Sequence, residues 1–258
     1  MIRKKVLCSS VILSAMLLSK LYSNPQTESI EDPYKQKLIA YAVSKVKERD
    51  SSPEKQLEAY YKTITFADEC PPMENSFVKH KLSRYLSNFS FKKQQSYYLH
   101  EKAAKHLPSI SKILRSHGIP EDFKYIPLVE SGLDAGVRSH KGAGGYWQFM
   151  PQTARLFGLK VNSKVDERLN LVKSTHAAAR YLKYLYSEFG DWTLVAAAYN
   201  VGGGSLKSSL RRQGVDNYYE LRLNSETATY VYKLISVKEI IENPEKYGYN
   251  ESLRISKG

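Results

Sequence analysis

Apolar residues recur at helical spacing along most of the chain. Over residues 33–49, Leu38, Ile39, Tyr41, Ala42, Val43 and Val46 fall near one face, which predicts an amphipathic helix. A second helix starts at Pro53. The pair Pro71 and Pro72 interrupts the pattern, and Leu82, Tyr85, Leu86 and Phe89 mark a further helix that begins near Phe77. The stretch 96–117 reads as one long helix stopped at Gly118, a residue suited to the left-handed cap, and Pro120 opens the next. Glu121 and Asp122 then stand in a first turn, where the helix dipole favours acids. That helix turns Phe123, Ile126 and Val129 inward and finishes near Gly132, so Glu130 falls in its last turn.

Residues 139–145 include three glycines and one alanine, so the backbone there can approach a ligand closely. Tyr146, Trp147, Phe149 and Met150 follow at once. A strongly periodic helix is predicted over 174–189, with Ser174 as its N-cap and Gly190 as its stop. The alanine-rich stretch 192–199 is apolar nearly all round, which predicts a buried helix ended by Gly202, Gly203 and Gly204. The last helix spans 225–242, with Tyr230, Leu234 and Val237 on one face. Nothing alternates convincingly as a strand, so the fold class is all-α, with at most a small hairpin. No internal repeat is found.

The start MIRKK, the apolar run VLCSSVILSAMLLS and the small residues around Ser23 and Asn24 have the parts of a secretory signal peptide. Residues 1–23 are therefore assigned to it, with cleavage near Ser23 and export to the periplasm or cell envelope. The run is shorter than the ~20 residues a spanning helix needs. Cys8 stands ahead of most of this run, whereas a lipidated cysteine would close it. Removal of the signal leaves Cys70 alone, expected as a packed thiol. The formal charge is +13, and loss of Arg3, Lys4, Lys5 and Lys20 takes it to +9. An anionic partner is expected. Export favours cell-wall carboxylates or lipid headgroups at the envelope membrane over nucleic acid, for which no recognition motif is present.

A carboxyl group serves as a general acid near neutral pH when burial raises its pKa. Glu130 follows Ile126, Pro127, Leu128 and Val129 and faces the small-residue loop, so it is the candidate. A glutamate at a helix end, taken alone, is usually a solvated surface residue. An ordinary glycosidase would need a second carboxylate, about 5 Å away for retention and farther for inversion. Asp134 is nearest in sequence, but Gly132 interrupts the helix between them, and Asp134 is read as organising the turn. From the residues alone Gln148 could equally be a satisfied loop amide, Tyr199 a core aromatic, Asn200 a helix C-cap and Glu226 an acid in a helix's first turn. Trp147 suits core packing at least as well as sugar stacking. His176 and Arg180, one turn apart, are read as structural. No clustered His and Cys at ligand spacing and no phosphate-binding loop appear, so no metal and no cofactor are implied.

Several of these residues fall into a longer pattern. Glu130-Ser131, then Ser139, then Gly142-Ala143-Gly144-Gly145-Tyr146-Trp147-Gln148-Phe149-Met150-Pro151, then Ala198-Tyr199-Asn200-Val201-Gly202, then Glu226-Thr227 with Tyr230-Val231 resembles the lysozyme-like lytic transglycosylases, and within them the membrane-bound lytic murein transglycosylase D branch. The likeness covers roughly 78–243. It implies a lysozyme-like catalytic domain there, preceded by a helical accessory segment at 24–77 and followed by a tail at 244–258.

By this resemblance Glu130 is the single catalytic residue acting on peptidoglycan glycan strands, first as acid and then as base, closing a 1,6-anhydro ring. The substrate's own N-acetyl group stands in for a second carboxylate. Ser139, Gln148, Tyr199, Asn200, Glu226 and Tyr230 are implied to bind substrate, Tyr230 on the weakest match. A monomer is expected. Two alternatives stay open: a hydrolase of the goose-type lysozyme kind, in which water attacks, and a wall-binding protein without catalysis.

Overall fold

The computed structural model describes residues 52–249. The expected signal peptide, the helix over 33–49 and the residues beyond 249 lie outside them. The chain divides into two units, Met1–Gln56 and Leu57–Gly258. Of the first, the described residues open helix α1, Pro53–Tyr61. The second carries α2 Ser76–Phe89, the short α3 Phe91–Gln94, α4 Tyr98–Ser116, α5 Ile126–Ser131, α6 Pro151–Leu156, α7 Leu171–Phe189, α8 Trp192–Val201, α9 Gly203–Gln213 and α10 Thr227–Glu242, with 3-10 turns between them. Among the described residues extended pairing is limited to isolated bridges, including Arg138 with Gly144 and Gly144 with Phe149. The all-α class is borne out.

Helix α8 lies at the centre, against α7, α9 and α10. Thr193, Leu194, Val195, Ala196, Ala197 and Ala198 are all buried. Alanine on every side lets neighbouring helices approach closely, but a buried helix must also satisfy the free N–H groups of its first turn. Two carboxylates do so. Asp191 accepts from the Leu194 N–H at 2.6 Å. Glu69 accepts from the Trp192 and Thr193 N–H groups and from the Thr193 hydroxyl, each at 2.7 Å. Glu69 belongs to a tight turn closed by the Phe66–Glu69 bridge. Asp122 and Lys238 anchor that turn: Asp122 Oδ2 accepts from the Ala67 N–H at 2.7 Å and from Lys238 Nζ at 2.6 Å, and Lys238 also donates to the Thr65 carbonyl. Tyr61, Ile64 and Phe66, from the segment read as accessory, lie in the same core as α8.

Several boundaries differ from the sequence reading. The helix expected from Pro120 to Gly132 is a 3-10 turn at Glu121–Tyr125 followed by α5. Helix α7 begins three residues earlier than expected: Asn170 is its N-cap and accepts from the Lys173 N–H, while Ser174 is buried one turn in and donates to the Asn170 carbonyl. Ser174 had cap chemistry, but the apolar face starts earlier, at Leu171. Gly202 ends α8, yet Gly203 and Gly204 start α9 rather than a loop. Cys70 is exposed, not packed, because it follows the Phe66–Glu69 turn at the surface.

The loop that follows α5 is folded around one buried side chain, Arg168, which is 3% exposed. Its Nη1 donates to the carbonyls of Gly142 at 2.9 Å and Phe149 at 2.8 Å, while Nε and Nη2 donate to Asp166. A second guanidinium, that of Arg138, also reaches Asp166. These hydrogen bonds, from Arg168 foremost, hold the Asp166 carboxyl down at about 2. The small residues expected to lie open to a ligand serve this packing. A Cβ on Gly145 would sit 2.1 Å from the Arg168 carbonyl oxygen, and one on Gly144 would sit 3.2 Å from its guanidinium carbon. Gly145→Ala should therefore lower unfolding stability by at least about 3 kcal/mol in urea melts. Gly142→Ala meets no neighbour within 4 Å; it should cost only the positive-φ penalty of about 1–2 kcal/mol. Equal losses would contradict this account of the loop.

Candidate active site

Glu130 reaches its position through a short, over-determined helix. Pro127 sets the first turn of α5, and Gly132 at φ 60° ends it in the left-handed region. Ser131, buried beside Glu130, donates to the Pro127 carbonyl at 3.0 Å and to the Tyr146 carbonyl at 2.8 Å, which joins α5 to the loop. The next residues of the loop are fixed from other elements. Tyr199 on α8 donates its hydroxyl to the Trp147 carbonyl at 2.7 Å. The Trp147 indole N–H donates to Thr175 Oγ1 on α7 at 3.0 Å, and its ring is fully buried. Trp147 is thus a core residue.

The Glu130 carboxyl is half-buried and opens into a cleft of about 530 Å³. Ser139, Gln148, Tyr199, Asn200 and Glu226 line the same cleft. Tyr230 stands behind Glu130, on buried α10, and donates its hydroxyl to Glu130 Oε1 at 2.6 Å. The weakest sequence match is thus the direct partner of the acid. Burial raises the Glu130 pKa to about 7; the Tyr230 hydrogen bond works against the rise, the charge of Glu226 adds to it, and Lys233 opposes it. Desolvation dominates. Burial likewise pushes the Tyr199 and Tyr230 phenols well up, so both remain protonated donors.

The other lining residues are held by local bonds. The Gln148 amide donates to the carbonyls of Val137 and Gly145, both at 2.9 Å, from a backbone at φ 47°. Ser139 Oγ accepts from the Ala143 N–H across the loop. Asn200 lies inside α8 rather than capping it: its amide N–H donates to Glu226 at 3.2 Å and its oxygen accepts from Thr227. Asp134 accepts from the Gly136 N–H at 2.7 Å and organises its turn. His176 pairs with His117 at 2.9 Å, and Arg180 donates to the Phe157 carbonyl, so neither joins the cleft. The sequence reading passed over Lys141, Thr153 and Tyr181, which also line it. Tyr181 carried a signal, since it shares a helical face with Ala177 and Ala178; Lys141 and Thr153 carried none.

Chemically, the cleft offers one carboxyl near neutrality, phenol donors around it and a second carboxylate, Glu226, tied to Asn200. Among the described residues no group of three or more His, Cys, Asp or Glu could hold a metal, and no helix is long and apolar enough to cross a membrane.

Residues 109–221 match the family model described as the Transglycosylase SLT domain. Over 183 residues the chain is 33% identical to membrane-bound lytic murein transglycosylase D of Escherichia coli, an alignment that spans 68% of this chain and 39% of that protein. It is 30% identical over 128 residues to soluble lytic murein transglycosylase of the same species, covering 46% of this chain and 20% of that one. The solved structure of lytic transglycosylase Slt from Pseudomonas aeruginosa superposes with a TM-score of 0.44 at 19% identity, over 91% of this chain and 41% of the other.

The raised pKa of Glu130 has a consequence for stability. The folded value of about 7 lies above the ordinary 4.5, so the folded state binds its proton more tightly than the unfolded chain. The associated stability is complete below pH 4.5 and is lost as the pH rises through 7. Glu130→Gln, which keeps an acceptor for Tyr230 without the charge, should be more stable than the parent by about 2 kcal/mol at pH 8 and equal to it at pH 4. Denaturant melts at the two pH values measure this, and no difference at pH 8 would refute the desolvated carboxyl.

Proposed function

Residues 109–221 belong to the Transglycosylase SLT domain family, and from that membership we propose that the chain is an exported lytic transglycosylase that cleaves the MurNAc-β-1,4-GlcNAc bond of peptidoglycan. The observation that carries the proposal is Glu130: a carboxyl with a pKa of about 7, bonded by Tyr230 and open to a cleft.

In this reading the protonated Glu130 gives its proton to the glycosidic oxygen as the bond from that oxygen to the muramoyl C1 breaks, releasing the GlcNAc 4-hydroxyl. The carbonyl oxygen of the substrate's N-acetyl group bonds to C1 and holds the developing positive charge. Glu130, now a carboxylate, takes the proton from the muramoyl 6-hydroxyl as O6 bonds to C1 and displaces the N-acetyl oxygen. The 1,6-anhydro ring closes and Glu130 is again protonated. A value near 7 suits both steps, because a group that must give and then take a proton works best when neither state is strongly favoured. Tyr230 steadies the carboxylate at the midpoint, and Tyr199 and Gln148 border the cleft where the sugar lies. Glu226, held by Asn200, contacts substrate.

Three outcomes are expected. Glu130→Gln should slow turbidity clearance of purified sacculi at least ~100-fold, and unchanged clearance would end the proposal. Mass analysis of the products should find anhydro-muropeptides, lighter by one water than hydrolytic products; reducing ends alone would make the enzyme a hydrolase. Activity should fall as the pH rises past about 7, where Glu130 loses its proton. Tyr230→Phe removes a hydrogen bond that lowers this pKa, so the falling limb should move to higher pH.

A further inference from the structure

Glu226 and Asn200 meet in the wall of the Glu130 cleft. The residue that follows Glu226, Thr227, is 1% exposed and does not line the cleft. Its backbone is fixed twice: the N–H donates to Asn224 Oδ1 at 3.0 Å, and the carbonyl accepts from the Tyr218 hydroxyl at 2.8 Å. The hydroxyl then works at the join between α8 and α10. It accepts from Asn224 Nδ2 at 3.1 Å and donates to Asn200 Oδ1 at 2.8 Å. Asn200 Nδ2 in turn donates to Glu226 Oε1 at 3.2 Å. From Asn224 through Thr227 and Asn200 every donor points the same way, and the series ends on a carboxyl group in the cleft.

The direction of this relay matters because an amide has one donor end and one acceptor end, whereas a carboxylate only accepts. Asn200 holds Glu226 while its oxygen is turned away, and that half-buried oxygen then needs a donor of its own. Thr227 supplies it. Valine at 227 would keep the shape and remove the donor. The Asn200 oxygen would be left unpaired, or it would turn toward Glu226 and repel it. In either case the hold on Glu226, itself an exposed side chain, weakens.

We propose that Thr227 is a positioning residue, whose buried hydroxyl sets the orientation of the Asn200 amide and thereby keeps the Glu226 carboxyl in the cleft wall near Glu130. Its consequence for catalysis rests on the reading of Glu130 as the acid. The groups that act on Glu130 are Tyr230, Lys233 and Glu226 from α10 and its N-cap, and Tyr199 from α8; His140 and Lys141 of the loop line the same cleft. In the 3-10 turn before α5, Glu121, Asp122 and Lys124 are paired with Arg115, Lys238 and Glu242. Among these influences the charge of Glu226 raises the Glu130 pKa. Release of Glu226 therefore lowers it.

The test is a titration of the Glu130 side-chain carboxyl by carbon NMR in the full chain, which needs no substrate. The parent midpoint should lie at about 7. Thr227→Val should move it down, by as much as Glu226→Gln does, and Thr227→Ser, which keeps the hydroxyl, should restore the parent value. Combining Thr227→Val with Glu226→Gln should give no further shift, because both act through one carboxyl. Thermal melts check that each chain is folded. If Thr227→Val melts too early to titrate, Asn200→Ala breaks the same relay at a half-buried position and should give the same downward shift. An unmoved midpoint in the folded variant, or shifts that add in the double variant, would overturn the proposal. Sacculus clearance separates this from the function of the cleft: a moved midpoint without clearance by the parent would leave the relay standing and end the glycan reading, and clearance with an unmoved midpoint would do the reverse.

Discussion

The structure is organised by the need to enclose a helix that has no polar face. Helix α8 buries its whole middle, so other elements must surround it, and its first-turn N–H groups must find acceptors away from water. Glu69 and Asp191 supply those acceptors. Because Glu69 sits in a turn anchored by Asp122 and Lys238, the 3-10 turn before α5 and the long α10 are drawn to the same point. The 3-10 turn leads straight into α5, which carries Glu130, and α10 carries Tyr230. The acid and its hydrogen-bond partner, 100 residues apart, meet because α5 packs directly on α10.

The cleft has a second dependence, on Arg168. A buried guanidinium has five donors to satisfy, and here they gather two loop carbonyls and Asp166. The loop thereby becomes a rigid wall whose carbonyls hold Gln148 and receive Tyr199. Such rigidity would serve the proposed chemistry, because a proton transfer depends on fixed donor and acceptor positions. Glu130 opens beside this wall, and its burial raises its pKa.

Much of this was legible in the sequence, for identifiable reasons. Apolar periodicity and the stops at Gly118, Gly132 and Gly190 are local signals, and they placed the helices and put Glu130 in a last turn. Caps were less legible: Ser174 has the chemistry of an N-cap, but Asn170 stands at the true start of the apolar face. The triple glycine after α8 looked like a break, yet only Gly202, at φ 89°, needs one. What the sequence did not reveal were partnerships over long separations. Arg168 shows no local sign of burial, Tyr230 no sign that it touches Glu130, and Cys70 no sign that its turn faces outward. The cleft residues were named through a family pattern; local chemistry alone left each one ambiguous.

The packing of Gly144 and Gly145 against Arg168 separates two kinds of signature in this sequence. The glycine-rich run is the most recognisable stretch of the chain, yet at these two positions it records how the backbone avoids a guanidinium and says nothing about proton transfer. A descendant that exchanged Glu130 for an inert residue would remain under the same steric demand. It would keep the run, fold normally and still present a groove. Inheritance of this motif therefore tracks architecture, and under the proposed mechanism it is the single acidic position on α5 that would tell whether a given descendant is still an enzyme.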